Sequence, residues 1–162
     1  MRVTLFFSAT LLCTAAGANA GPVSGTFRCP QGLSGAQSQT LDAGARKGDR
    51  RAAYCLSVRL PSLDGGELED ALTALGQYGD VRPVELLMLS RQGTLSKHSL
   101  ADAIGMLPLS LTDDLQGQLT AMKRRQDQYR KITQPGLTTE RQFALRSIES
   151  ALGEIRNHVP SR

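Results

Sequence analysis

Two Gly-Asp dipeptides stand 31 residues apart in this chain, and the residues around them do most to limit its fold. Gly48-Asp49-Arg50-Arg51-Ala52-Ala53-Tyr54-Cys55-Leu56 aligns with Gly79-Asp80-Val81-Arg82-Pro83-Val84-Glu85-Leu86-Leu87. The shared pattern is Gly-Asp-x-Arg-x-(small or Val)-x-x-Leu. Each copy follows a segment rich in Ala, Leu and Gly, at 40–46 and 72–77, that reads as helix. Glycine permits the left-handed conformation that ends a helix. Aspartate then caps the amides of the next one. In the second copy Pro83 falls in a first turn, where its missing amide hydrogen costs nothing. Val84, Leu87 and Met88 would face the preceding helix.

A spacing in the low thirties is used by helix–turn–helix repeats. Over about residues 37–92 the arrangement resembles the helix pairs of HEAT-type or Sel1-type repeat proteins. The resemblance implies a short α-solenoid-like stack, although no third copy appears at Ser110 or Leu111. A competing reading makes 54–60 a strand. Tyr54, Leu56, Val58 and Leu60 alternate with Cys55, Ser57 and Arg59, and such a strand would pair with 23–29. The fold would then be α+β with a small N-terminal β-hairpin.

The remainder reads as helix. Asp64-x-x-Glu67 has the form of a capping box. Thr94 or Ser96 starts a short helix through Ile104. Thr112, followed by Asp113 and Asp114, starts another that runs to about Ile132, with Leu115, Leu119, Met122 and Tyr129 on one face. The stretch Thr133-Gln134-Pro135-Gly136 breaks it. Thr139-x-x-Gln142 opens a last helix whose stripe is Phe143, Ile148, Leu152 and Ile155, ended by Pro160. These last two helices are expected to form an antiparallel hairpin. The expected fold class is all-α.

The first twenty residues have the layout of a secretory leader: Arg2, an apolar run over 3–12, and small residues ending in Ala18-Asn19-Ala20. The run is shorter than the about 20 residues that cross a bilayer. Residues 1–20 are therefore read as a signal peptide cut after Ala20. An extended segment follows at 21–34, then one helical domain at 35–162, with no transmembrane segment in the mature chain. Cys13 goes with the leader, and lipid anchoring there is not expected because Thr10-Leu11-Leu12 lacks the small residue before it. Cys29 and Cys55 remain, an even pair in an oxidising compartment, and are expected to form a structural disulfide. The predominance of Arg over Lys, with abundant Ala, Gly and Leu, points to a GC-rich bacterial genome.

No catalytic signature emerges. His98 and His158 lie in different helices without ligand partners, so neither metal nor cofactor is expected. The mature chain has no Gly-x-Ser-x-Gly elbow, and Ser90, Ser96 and Lys97 explain themselves as turn and cap. Glu67, Glu69 and Asp70 are close in sequence, as paired carboxylates for cell-wall cleavage would be, yet the helix dipole also favours acids in a first turn. Lys123, Arg124, Arg125, Arg130 and Lys131 crowd the end of one helix, where cations belong, with Asp127 placed to pair with Lys131. They also offer a docking face for an acidic partner, an anionic envelope polymer or a lipid surface. Tyr78, Asp80 and Arg82 would be presented together by the second Gly-Asp turn. With no Trp and few aromatics, nucleic acid is not an expected partner.

Two functions follow as expectations. One is a non-enzymatic periplasmic or secreted protein that binds another protein, of inhibitor, immunity or secretion-accessory type. The other is a cell-envelope enzyme or enzyme subunit working through Glu67, Glu69 and Asp70.

Overall fold

The computed structural model describes residues 27–30, 32 and 34–158. The expected leader, Cys13 and most of the extended segment lie outside the described residues. The described chain forms seven α-helices: α1 (Gly35–Arg46), α2 (Arg50–Arg59), α3 (Gly65–Val81), α4 (Pro83–Arg91), α5 (Lys97–Gly105), α6 (Leu115–Arg130) and α7 (Thr138–His158). Single 3-10 turns occupy Leu60–Ser62, Leu109–Leu111 and Pro135–Leu137. No strand occurs among the described residues, so the fold is all-α.

The strand reading of 54–60 is thereby overturned. Ala52, Leu56 and Leu60 recur at i, i+4 and i+8 and are all buried, whereas Val58 is 47% exposed. A face that repeats every four residues belongs to a helix; alternation would have buried Val58 with Leu56. The N-terminal segment does meet this helix, but through a covalent bond. Cys29 and Cys55 form a disulfide with Cα atoms 5.3 Å apart. Phe27 packs edge-on against Tyr54, ring centroids 5.6 Å apart, and the Arg51 guanidinium donates to the Arg28 carbonyl at 3.3 Å.

The two Gly-Asp dipeptides behave differently. Gly48 has φ +85° and ends α1, and the Asp49 carboxylate accepts from the Ala52 amide at 2.9 Å to cap α2. This is the turn the repeat implies. Gly79 and Asp80, in contrast, lie inside the last turn of α3, which continues to Val81. The turn to α4 is made at Arg82 instead, with Pro83 in the first helical position as expected. Gly79 is needed for space: a Cβ there would come within 2.7 Å of both Leu86 and the Tyr129 hydroxyl.

Other starts follow local rules with small displacements. Ser96 caps α5 by accepting from the Ser99 amide. Asp114, rather than Thr112, caps α6 by accepting from the Gly117 amide at 2.8 Å. Asp64 precedes α3 without a side-chain cap bond, so the expected box with Glu67 does not close. α7 begins at Thr138, straight out of the 3-10 turn.

α3 is the central element. It packs on α1, α2, α4 and α5, while α7 packs on α4, α5 and α6. The start of α6 lies by the end of α7, since Leu115 and Gln118 line one depression with Glu154 and Ile155. One cluster of buried side chains runs from Ala45 to Leu152 through all seven helices. Replacing both Cys29 and Cys55 by Ala should lower stability by about 3–4 kcal/mol, the loop-closure value for such a span. The check is a lower urea midpoint with the far-ultraviolet circular dichroism spectrum unchanged.

Candidate functional site

The two buried charged side chains among the described residues, Arg125 and Glu85, both reach residues near the end of α3. Arg125, projecting from α6, is only 1% exposed. Its Nε and one Nη donate to both oxygens of Asp80 at 2.6 and 2.7 Å. The other Nη donates to the carbonyl oxygens of Ile104 and Met106, which close α5. A guanidinium is the one side chain with enough donors, in a fixed fork, to serve a carboxylate and a helix end together. Beside it the Gln128 amide donates to the Asp80 carbonyl at 3.1 Å, tying α6 to α3. The Tyr129 hydroxyl is enclosed against Gly79 without a hydrogen-bond partner, and burial raises its pKa.

A second set surrounds Glu85, which is 6% exposed on α4. Its carboxylate accepts from Arg50 through two bonds of 2.8 and 2.6 Å, from the Tyr78 hydroxyl at 2.7 Å and from Arg82 at 3.1 Å. Arg82 also donates to the Gly48 carbonyl at 2.8 Å. One carboxylate thus joins both Gly-Asp segments. Desolvation pushes the Glu85 pKa up, but hydrogen bonds from Arg50 and Tyr78 and the charges of Arg82 and Arg50 outweigh it and hold the group below its usual 4.5. Burial, then the bond to Glu85, raises the Tyr78 pKa.

The candidate binding residues therefore divide. Lys123, Arg124, Arg130 and Lys131 are exposed. Arg125 and Tyr78 are buried and hydrogen-bonded inside, so neither belongs to a docking face. Asp80 is neutralised by Arg125, and Arg82 stays accessible at the rim. Asp127 pairs with Arg130 at 3.7 Å, not with Lys131. The two groups, separate in sequence, are linked where Arg125 and Gln128 of α6 reach Asp80 at the end of α3.

Glu67, Glu69 and Asp70 are exposed at the other end of α3. Glu67 and Asp70 line a cleft of about 110 Å³ with Asp42, Ser38 and Arg59. Desolvation raises the Asp42 pKa. Asp70 also lies 4.0 Å from Arg46. No grouping of His, Cys, Asp and Glu suited to a metal ion occurs among the described residues. His98 lies 3.4 Å from Asp102, and the His158 ring is 2.8 Å from the Glu154 carbonyl.

Two central residues escape a reading of the sequence. Glu85 is signalled only as a lone carboxylate within the apolar run 84–89. Asp42 is signalled only as the i−4 neighbour of Arg46, because Glu67 and Asp70, which share its cleft, come from another helix. The chain matches no protein family, no curated protein sequence and no solved structure.

Replacing Arg125 by Met should cost about 2–3 kcal/mol, since it leaves the half-buried Asp80 carboxylate and two carbonyls without their donor, with water able to reach Asp80 in part. Urea denaturation monitored by circular dichroism measures it. A second outcome concerns acid. Glu85 ionises at lower pH in the folded chain than in the unfolded one, so its contribution is full above about pH 4.5 and lost as pH falls through the folded value. Glu85→Gln should therefore be less stable at neutral pH and show a flatter loss of stability between neutral pH and pH about 3.

Proposed function

We propose that this chain is an exported, non-enzymatic helical protein that acts by binding another protein in the bacterial periplasm or outside the cell. Inhibitor, immunity-type and envelope or secretion accessory roles all suit that reading. The observation that carries it is the division of charge. The buried charged groups Glu85 and Arg125 hold α2, α3, α4, α5 and α6 together, while the other cations of α6 remain on the surface. The disulfide fits an extracellular protein. Among the described residues no helix is long and apolar enough to cross a membrane. The leader expected at 1–20 completes the case for export.

The test is to immobilise the chain from Gly21 onward and pass envelope extract of the source bacterium over it. A partner should be retained, and once purified it should bind in a saturable manner. Recovery of nothing beyond an unrelated basic protein of similar size would defeat the reading.

A second reading has one observation in its favour: Asp42 joins Glu67 and Asp70 around the same cleft. In it the chain is a cell-envelope enzyme or a subunit of one. Glu67→Ala with Asp70→Ala should leave both fold and partner binding unchanged if the first reading is right. Loss of a cell-wall-cleaving activity with an intact circular dichroism spectrum would instead establish the second.

A further inference from the structure

We propose that the end of α3 and the adjoining face of α6 form the docking surface, and that its occupant is an acidic polypeptide segment carrying an apolar residue that covers Val81. The inference rests on the protein-binding reading and names the chemistry of the partner.

Charge sets the sign of that partner. From Thr120 onward the exposed face of α6 is Thr120, Lys123, Arg124, Asp127, Arg130 and Lys131. Among the described residues Lys123, Arg124 and Lys131 have no carboxylate within 4.0 Å, and Asp127 is engaged by Arg130. Arg50 and Arg82 share the single carboxylate of Glu85, and their side chains are still 44% and 42% exposed. Both are held in place before any partner arrives, Arg50 by two bonds to Glu85 and Arg82 between Glu85 and the Gly48 carbonyl. Guanidiniums oriented in advance lose little rotamer freedom when they meet a carboxylate.

Val81 supplies an apolar contact at this site. It is 56% exposed and rests over Gly48, where an added Cβ would lie 3.0 Å from it. Asp80, its neighbour, takes the Gln128 amide, so α6 lies alongside. Arg124 and Lys131 are four and three residues from Gln128 and share its flank. An exposed valine beside two partly exposed arginines has the residue types of a protein interface, arginine above all. A membrane surface fits less well, because α6 adds no exposed apolar side chain to Val81, and a single valine is little to enter the lipid. The span from Lys123 to Lys131 is about 12 Å along a helix, the length of roughly four extended residues. A short acidic stretch suffices to cover it.

The experiment uses the chain from Gly21 onward and a fluorescent synthetic peptide alternating glutamate and valine, with its glutamine counterpart and phosphatidylglycerol vesicles as further probes. The glutamate peptide should bind saturably, about tenfold more weakly in high salt than in low. Lys123→Glu with Arg124→Glu and Lys131→Glu should abolish binding, and Val81→Ser should weaken it, with helix content unchanged in both variants. Equal binding of the glutamine peptide, or binding that survives the triple charge reversal, overturns the proposal. Binding to vesicles alone, abolished by the same reversal, overturns it in favour of a lipid surface. The envelope-extract capture separates the two levels. A partner retained equally by the native chain and the triple variant refutes the acidic docking surface and leaves the binding reading standing. A partner retained by neither refutes both.

Discussion

A guanidinium with almost no contact with water needs an acceptor for each of its donors, and meeting that need at Arg125 decides how three elements sit. The side chain leaves α6, takes both oxygens of Asp80 on α3, and reaches the carbonyls that close α5. α6 can slide or rotate on α3 only by breaking several charge-assisted bonds at once. The surrounding Met122, Tyr129, Ile104 and Ala103 provide close packing, and apolar packing tolerates small shifts of register. The Arg125–Asp80 pair does not, so it fixes a register that the apolar contacts alone leave loose.

Glu85 performs a comparable task between the two Gly-Asp segments, with a different outcome for the surface. Its partners Arg50 and Arg82 are only partly withdrawn from solvent, so the anion that organises them is hidden while their cationic edges stay outside. The core thereby shapes the charge of the exterior. Arg125 and Asp80 cancel each other inside, and the exposed cations of α6 gain no compensation from that pair.

Fold class was legible because helical spacing, caps and breakers are local. Asp49, Ser96 and Pro83 act where their sequence context places them. The misreadings occur where a distant partner outbids a local rule. Asp80 looks like a cap, but its carboxylate is claimed by Arg125 from 45 positions away. Arg125 looks like one cation in a solvated run, yet it is three residues from Met122 and four from Tyr129, on the apolar seam. Phase, and not composition, carried that signal. Glu85 takes Arg50 and Tyr78 from other helices, and Asp42 shares its cleft with Glu67 and Asp70 of α3, which no local pattern records.

The disulfide has a consequence for the order of assembly. The loop it closes holds α1 and the first half of α2, and everything that Arg125 organises lies downstream of it. Oxidation therefore restricts the freedom of one short stretch and leaves the docking of α3, α5, α6 and α7 to their own contacts. Cys29 and Cys55 thus fasten the segment ahead of α1 onto α2, the helix whose Arg50 reaches Glu85.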